Sequence, residues 1–410
     1  MAADGRTGTY SVTSSTERVT VTSGPVTTTT TTRVAMTAEG LGAGRHRAAL
    51  ALDIGGTKLA AGVVDATGSV LGRARRPMPK TLDPEVTFAA AVDCLHAALG
   101  DAGLGGRYDY AGLAGLGVGC GGPMQWPAGE VSPLNIPSWR GFPLRARLRD
   151  AFGEIGVLVH NDAVALAAGE HWTGTGRDMR NLLALTVSTG VGGGLILDGR
   201  LYHGRSGNAG HVGHLVVDPA GPDCVCGGVG CLEAIASGPR TVAWALDEGW
   251  RPEPAAPSTS GSAGSGRPAG SGRPAGLASA LAGAPAAEGS AAGTDADQAG
   301  EPVADGYALA ASAAAGDKIA LAALARAGNA VGVGLASCAA TFDLDLVTVA
   351  GGFSQSGPVF WDALRAAFDR HAGMEFARAV RVEPSSAPAD VALRGAAAFI
   401  LAPDRYAWVG

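Results

Sequence analysis

Residues 210–238 read GHVGHLVVDPAGPDCVCGGVGCLEAIASG, with His214 upstream of Cys224, Cys226 and Cys231. Three thiols and an imidazole at this spacing are typical of a tetrahedral Cys₃His zinc site, and the interspersed glycines let the chain wrap tightly around one ion. Four protein ligands fill the coordination shell, so the sequence predicts a structural zinc rather than a hydrolytic one. The alternative is a set of unliganded thiols or a disulfide, but three cysteines leave one over from any pairing and nothing marks a secreted chain.

Length and composition set the broad class. The chain has 410 residues, which predicts two domains, and its 46% hydrophobic content is ample for packed cores. A net charge of −6 argues against nucleic acid as the main partner. The sequence shows neither a clean apolar run of about 18 residues nor the apolar core of a signal peptide. We therefore expect a cytoplasmic protein with reduced thiols and no membrane partner.

A Gly-Gly-Thr turn joins two short apolar strands, predicted at 49–53 and 59–65. Glycines let backbone N–H groups approach a phosphate closely, and the threonine adds a hydroxyl donor. The pattern resembles the first phosphate motif of the actin-like ATPases, which implies that Asp53 faces Mg²⁺ and phosphate. The candidate ATP-binding residues of this turn are Asp53, Gly55, Gly56, Thr57 and Lys58. The alternative is an ordinary Gly-Gly hairpin turn; a Walker A spacing is absent.

A second strand, turn and strand follow, predicted as a strand over 182–187, the turn STGVGGG over 188–194 and a strand over 195–197. The layout repeats the one around Asp53 and resembles the second phosphate motif of the same superfamily, with Thr189 and Gly190 as the candidate phosphate contacts. The glycine run is not a dinucleotide-binding fingerprint, because a strand rather than a helix comes after it.

Two further glycines, Gly351 and Gly352, follow a strand predicted over 344–350. They resemble the Gly-Gly element that packs under adenine and ribose in the same superfamily, where a larger side chain would block the nucleotide. The alternative is an ordinary strand-to-helix turn.

Asn135 opens the sequence NIPSW, residues 135–139. An asparagine amide donates and accepts hydrogen bonds at once, which suits the vicinal hydroxyls of a sugar. The alternative is a turn in which the asparagine and proline serve only the backbone.

Asp162 lies between a strand predicted over 156–159 and a helix predicted over 163–172. Asp162 therefore lies at a strand end and a helix N-terminus, beside the amide of Asn161. Its position alone is explained by a role as the N-cap of the helix.

The pattern G-H, nine residues, C-x-C-G-x-x-G-C-x-E resembles the signature of the ROK family, which groups bacterial sugar kinases with sugar-responsive repressors. The resemblance covers about residues 48–403, with one interruption. It implies an α/β fold of the actin-like ATPase (ribonuclease H-like) type, with two domains around a cleft for nucleotide and sugar. It also implies ATP and Mg²⁺ as cofactors beside the structural Zn²⁺.

The same resemblance assigns roles to single residues. It makes Asp162 the catalytic base that takes the proton of the sugar 6-hydroxyl. The sugar contacts it implies are Asn135, Asn161, His211, His214 and Glu233. The chain departs from the family pattern where His160 and His211 replace glutamates. The second departure leaves the preferred sugar open.

We expect the following organisation. Residues 1–47 form a disordered Thr/Ser-rich tail, and Met36 is an alternative start. An N-terminal domain over 48–162 is joined by the last helix, 390–402, which we expect to be amphipathic. A C-terminal domain over 163–389 carries the zinc loop and a flexible low-complexity insertion at about 251–304.

These patterns predict an ATP-dependent hexose kinase, with glucose as the first candidate substrate. N-acetylmannosamine, N-acetylglucosamine, fructose and allose are alternative sugars. A sugar-responsive repressor is disfavoured because residues 1–47 show no helix-turn-helix pattern, and a sensor without enzymatic activity is disfavoured because Asp162 and both phosphate motifs are kept. We expect a homodimer or homotetramer.

Overall fold

The computed structural model describes residues 48–104, 110–153, 155–252, 304–385 and 390–407. The tail over 1–47 and nearly all of the insertion lie outside these residues. The strands in the described ranges are β1 (Ala48–Ile54), β2 (Lys58–Asp65), β3 (Val70–Pro77), β4 (Leu113–Cys120), β5 (Met124–Gln125), β6 (Glu130–Val131), β7 (Val157–Asn161), β8 (Leu182–Val187), β9 (Val191–Leu197), β10 (Arg200–Leu201), β11 (Leu346–Ala350) and β12 (Arg381–Pro384). The helices are α1 (Pro84–Asp101), α2 (Leu144–Phe152), α3 (Asp162–Thr173), α4 (Leu232–Ala236), α5 (Gly238–Asp247), α6 (Gly306–Ala314), α7 (Lys318–Phe342), α8 (Pro358–His371), α9 (Glu375–Arg378), α10 (Val391–Leu401) and α11 (Pro403–Tyr406).

Two five-stranded sheets share one plan. Their orders are β3-β2-β1-β4-β7 and β10-β9-β8-β11-β12. In each sheet three consecutive strands pair antiparallel, and two later strands join parallel to the first of them. The first sheet lies within the predicted segment 48–162 and the second within 163–389, although the division into two domains stays a prediction.

Strand register brings the candidate catalytic residues to one sheet edge. Asp53 at the end of β1 is paired with Gly119 of β4, and Gly119 is paired with His160 of β7. Because β1, β4 and β7 run parallel, their carboxyl ends meet at the same edge, which is where α/β sheets place ligands. Asp162 follows β7 directly and begins α3.

Small residues let α10 pack tightly between α3 and the first sheet. A Cβ at Gly395 would lie 1.6 Å from the carbonyl oxygen of Ala165, and one at Gly117 would lie 1.8 Å from that of Ala396. Eight of the eleven residues of α10 are buried and the other three are partly buried. The expectation of an amphipathic last helix is wrong, because the helix is enclosed by α3 on one side and the first sheet on the other.

Helix α7 is, by length and composition alone, apolar enough to cross a membrane, contrary to the expectation that the chain contains no such segment. In its most apolar window 61% of the residues are buried in the fold. Cβ atoms at Gly328 and Gly332 would lie 2.2 Å from the carbonyl oxygens of Phe360 and Leu364 in α8. We interpret α7 as a core helix, whose apolar surface is covered by other parts of the chain.

The second glycine run is strand rather than turn. Strand β9 begins at Val191, not at residue 195 as the sequence predicts, so its glycines belong to the sheet. A Cβ at Gly194 would lie 2.7 Å from the carbonyl oxygen of Ala163, and one at Gly192 would lie 2.9 Å from the Cβ of Ala163. The glycines therefore allow the first turn of α3 to pack directly on the second sheet.

Candidate active site

The first turn of α3 presents two polar side chains. Asn161 is the N-cap, and its Oδ1 accepts a hydrogen bond from the backbone N–H of Ala163 at 2.9 Å. The same N–H donates to Oδ1 of Asp162 at 2.8 Å. Because Asn161 caps the helix, capping alone does not account for Asp162. The cap also occupies the amide oxygen of Asn161 and leaves Nδ2, which can only donate, for a ligand.

Asp53 and Asp162 both lie close to Gly119. A Cβ on this glycine would lie 3.8 Å from Oδ1 of Asp53 and 3.4 Å from Cα of Asp162. Burial, together with repulsion from Asp162, raises the pKa of Asp53 to about 7. Burial also raises the pKa of Asp162; the hydrogen bond from Ala163 opposes this rise, and the charge of Glu233 adds to it. Two neighbouring carboxylates of this kind suit a divalent cation.

The two candidate phosphate turns have accessible hydroxyls. The first turn is closed by a hydrogen bond from the backbone N–H of Gly55 to the carbonyl of Lys58 at 3.0 Å. The side chains of Thr57 and Lys58 are exposed. In the second turn the N–H of Ser188 donates to the carbonyl of Gly190 at 2.9 Å, and Thr189 is exposed. Both turns therefore leave polar groups open to a ligand.

The two glycines after β11, Gly351 and Gly352, have different surroundings. Gly351 has φ of 95°, and a Cβ there would lie 2.3 Å from the carbonyl oxygen of Val187. Backbone packing alone accounts for this glycine. A Cβ at Gly352 would meet no atom of the described residues within 4 Å, so this position borders open space. A nucleotide-binding role for the pair stays a prediction.

The loop after β4 gathers three of the candidate sugar residues. A Cβ at Gly121 would lie 3.3 Å from Oδ1 of Asn135. A Cβ at Gly122 would lie 3.1 Å from Nδ2 of Asn161 and 3.3 Å from Nε2 of His211. The imidazole nitrogen Nε2 of His211 is buried and has no hydrogen-bond partner within the described ranges. The arrangement places this unsatisfied nitrogen near the amides of two asparagines, and a ligand with several hydroxyls could satisfy it.

Arg140 holds the loop that carries Asn135. Its guanidinium donates from one nitrogen to the carbonyl oxygens of Pro133, Ile136 and Trp139, at 2.8, 2.9 and 2.6 Å. The Trp139 side chain is fully buried and fixes the other end of the loop. The role of Arg140 is not predicted from the sequence, because no spacing pattern indicates that an arginine binds the carbonyl groups of its own loop.

The four predicted zinc ligands converge. Nδ1 of His214 lies 3.7 Å from Sγ of Cys224, Sγ of Cys226 lies 3.7 Å from Sγ of Cys231, and all four donor atoms lie within 4.8 Å of one another. Zn–S bonds of about 2.3 Å in a tetrahedron separate the sulfurs by about 3.8 Å. All six cysteines of the chain are free thiols, so the disulfide alternative is not seen. A Cβ at Gly228 would lie 3.2 Å from one of the sulfurs, which explains the glycine. The donor set fits zinc.

His214 connects this cluster to the sugar candidates. Its Nδ1 faces the sulfurs, so its Nε2 is left for another partner. Its ring stacks on that of His211, with centroids 6.2 Å apart and an angle of 18° between the planes. The predicted dual role of His214 is therefore geometrically possible.

Glu233 has a partner that the sequence does not predict. It lies in the first turn of α4, directly after the last cysteine. Its Oε2 accepts a hydrogen bond from the backbone N–H of Val191 at 2.9 Å. This candidate sugar residue therefore also contacts the backbone of the second phosphate turn.

Two buried histidines behind the site, His160 and His203, form a pair that the sequence does not predict. His160 and His203 are 2% and 7% exposed, and the indole of Trp126 stacks on His203 and lies tilted against His160. Burial lowers the pKa of His203 to about 4, and burial together with His203 and His211 lowers that of His160 well below its ordinary range. His160 departs from the family pattern in the sequence, but no local pattern links it to His203.

The sequence profile of the ROK family matches residues 49–403 of this chain. The chain belongs to the ROK family. The crystal structure of a ROK hexokinase from Thermus thermophilus is similar, with a TM-score of 0.62 and 32% identity over 85% of this chain and 96% of that one. A ROK family glucokinase from Streptomyces griseus, in complex with glucose and AMPPNP, has a TM-score of 0.62 and 29% identity over 85% and 98% of the two chains. These likenesses confirm the predicted actin-like ATPase fold.

Among curated proteins, an N-acetylmannosamine kinase of Salmonella typhimurium is 39% identical over 202 residues. The match covers 48% of this chain and 64% of the relative, so this chain spans less than two thirds of that protein's length.

Proposed function

We propose that this ROK protein is an ATP-dependent hexose kinase that phosphorylates a sugar 6-hydroxyl, with glucose as the first candidate. The observation that carries the proposal is the position of Asp162. It begins α3 close to Asp53 and directly follows Asn161, whose Nδ2 lies near Nε2 of His211 at Gly122. The hexokinase and glucokinase relatives support the same activity.

Asp162 serves as the general base. Its carboxylate takes the proton of the sugar hydroxyl while that oxygen forms a bond to the γ-phosphorus, and the bond from this phosphorus to the β,γ-bridging oxygen breaks to release ADP. A raised pKa makes the carboxylate a better proton acceptor, and the backbone N–H of Ala163 keeps the rise in check. Asp53 would hold Mg²⁺ nearby, and the bound ion would neutralise charge on the transferring phosphoryl group.

Binding is divided between the two halves of the cleft. The sugar is held by Asn135, Asn161, His211, His214 and Glu233. The nucleotide phosphates are bound by the two turns through Gly55, Gly56, Thr57, Lys58, Thr189 and Gly190, and Gly351 and Gly352 border the nucleoside. Closure of the cleft around both substrates excludes water and limits ATP hydrolysis.

A structural zinc ion bound by His214, Cys224, Cys226 and Cys231 orders the loop that leads to Glu233. The convergence of the four donor atoms within 4.8 Å supports this assignment. When bound, the ion fixes Nδ1 of His214 as its ligand and leaves the N–H at Nε2 for the sugar.

N-acetylmannosamine is the second candidate substrate, and the curated relatives support it about as well as the solved glucokinase supports glucose. N-acetylglucosamine, fructose and allose complete the panel. The protein acts on small molecules in the cytoplasm as a homodimer or homotetramer.

The deciding experiment is a coupled ADP-release assay with Mg-ATP and each sugar of this panel, beside the Asp162→Asn variant. We expect sugar-dependent ADP release that the variant lacks. Binding of sugar without turnover by the wild-type chain would indicate a sensor instead of a kinase. Turnover with N-acetylmannosamine and not with glucose would support the kinase activity and show that N-acetylmannosamine is the substrate.

A further inference from the structure

Each candidate phosphate turn is in contact with the side chain of a candidate sugar residue. A Cβ at Gly56 in the first turn would lie 2.8 Å from Nδ2 of Asn135. A Cβ at Gly190 in the second turn would lie 2.8 Å from Oε2 of Glu233. In both places a glycine gives the side chain room to touch the turn's backbone, so the sugar half and the nucleotide half of the site are in direct contact.

The contact at the second turn is the stronger one, because it includes a charged hydrogen bond. Oε2 of Glu233 accepts from the N–H of Val191 at 2.9 Å, and this residue begins β9 immediately after the turn. Hydrogen bonds to a charged group are about twice as strong as neutral ones. No comparable bond joins Asn135 to the first turn within the described residues.

The second carboxylate oxygen of Glu233 remains for a ligand. Oε1 makes no hydrogen bond with the described part of the chain, and the side chain is only partly buried. The residue lies close enough to Asp162 and His211 to influence the pKa of each of them. One oxygen is thus bound to the phosphate turn, while the other has no partner among the described residues and belongs to a side chain close to Asp162 and His211.

We propose that Glu233 couples the two substrate sites: Oε2 holds the second phosphate turn while Oε1 accepts a sugar hydroxyl, so that sugar and nucleotide strengthen each other's binding. A hydroxyl donated to Oε1 fixes the carboxylate rotamer, and a fixed carboxylate orders the turn that receives the phosphates. By linkage, the nucleotide raises the affinity for sugar by the same factor, and couplings of this type amount to about five- to 150-fold. The inference rests on the proposed kinase function and adds that Glu233 is a positioning residue for the nucleotide.

Two substitutions separate this role from sugar contact alone. In Glu233→Gln one amide atom accepts and the other only donates, so the side chain cannot accept from the turn with one atom and from a sugar hydroxyl with the other. In Gly190→Ala the new Cβ displaces Oε2 from the turn but leaves the carboxylate for the sugar. Glu248→Gln, the same exchange at an exposed position at the end of α5, is the matched control.

The experiment is calorimetric titration of the full chain with Mg-AMPPNP, without sugar and with saturating glucose or N-acetylmannosamine. We expect sugar to tighten AMPPNP binding at least fivefold in the wild type and in Glu248→Gln, and less than twofold in Glu233→Gln and Gly190→Ala. Affinity for AMPPNP alone should change little in Glu233→Gln. If both ligands bind and the wild type shows no coupling, or if both variants keep it, the inference is wrong while the kinase proposal stands. If neither sugar nor AMPPNP binds to the wild type, the proposed function fails and the inference fails with it.

Discussion

Nε2 of His160 lies 2.7 Å from Nδ1 of His203, and the other ring nitrogen of His160, Nδ1, lies 2.8 Å from the backbone nitrogen of Asn161. The Asn161 N–H can only donate, so Nδ1 of His160 must accept and its proton must lie on Nε2. Nδ1 of His203 must then accept in turn. Both rings are neutral and their tautomers are fixed. The pair therefore links the loop after β10 to the strand end immediately before Asp162, the proposed catalytic base.

Removing the acceptor on His203 should destabilise the site without removing the ring. His203→Phe keeps a ring for stacking on Trp126 but leaves the Nε2–H of His160 buried and unpaired, which costs about 1–3 kcal/mol. We expect a loss of this size in the free energy of unfolding, measured by urea denaturation, and a severalfold fall in kcat. Tyr202→Phe, at the neighbouring position that is 47% exposed, is the control and should change neither quantity. An unfolding free energy equal to that of the wild type in His203→Phe would contradict this role.

The same pair predicts a pH dependence of stability. The pKa of His203 falls from its ordinary 6.5 to about 4 on burial, and that of His160 also falls. Between these values the unfolded chain binds protons that the folded chain does not, so stability is full above pH 6.5 and is lost as the pH falls toward 4. At pH 5.5 the loss from His203 is about 1.4 kcal/mol, and His160 adds to it in the same direction. Urea denaturation at pH 7.5 and 5.5 tests this, and His203→Phe should show a smaller difference than the wild type.

Asp162→Asn should abolish catalysis and preserve the fold. The N-cap of α3 is Asn161, so the substitution does not remove the cap, and it keeps the size of the side chain. Loss of a general base lowers kcat by at least about 10²-fold. Sugar and nucleotide affinities should stay close to those of the wild type, as measured by titration. Near-normal turnover in this variant would show that another group accepts the proton.

Asp53 should make nucleotide binding depend on pH. Burial and the charge of Asp162 raise its pKa to about 7, so below pH 7 the carboxyl holds a proton that Mg²⁺ must displace. Affinity for Mg-AMPPNP should therefore fall as the pH is lowered from 8 to 6, by at most about tenfold per unit. In Asp162→Asn the repulsion is gone, so the fall should begin at lower pH. A profile that is the same in both proteins would show that the two carboxylates do not interact.

The sequence predicted most of the strands and helices around the site but not the contacts between distant residues. Strands β1 and β11 are predicted because their apolar runs end at an acid or at glycines that punctuate the chain. The start of β9 was missed because Gly192 to Gly194 read locally as a turn, whereas their role is to admit the first turn of α3. Close backbone packing of this kind has no local signature.

The candidate site shows the same division. The zinc ligands follow from spacing, because three of the four lie within eight residues of one another. The link from Glu233 to Val191 spans 42 residues and that from His160 to His203 spans 43, so neither follows from a local pattern. Tertiary structure alone brings these pairs together.

The last prediction concerns the metal and its connection to the sugar. The four donor atoms lie within 4.8 Å of one another, and Cys226 is the exposed member of the set. We expect about one zinc per chain in the purified protein, without an open coordination position. Cys226→Ser should lose the metal and raise the KM for sugar far more than it weakens binding of Mg-AMPPNP measured without sugar. The cause is local: His214 loses the partner that fixes its tautomer, and the chain leading to Glu233 is no longer held.

Val225→Ser is the matched control, since this exposed residue lies between two of the ligands and has no donor role. It should keep both the zinc and the wild-type KM for sugar. Elemental analysis and steady-state kinetics of the three proteins test the prediction together. A fully active wild type without zinc would show that the thiols are not a metal site. A Cys226→Ser protein equally impaired toward sugar and nucleotide would show that the loop supports the whole cleft and not the sugar half.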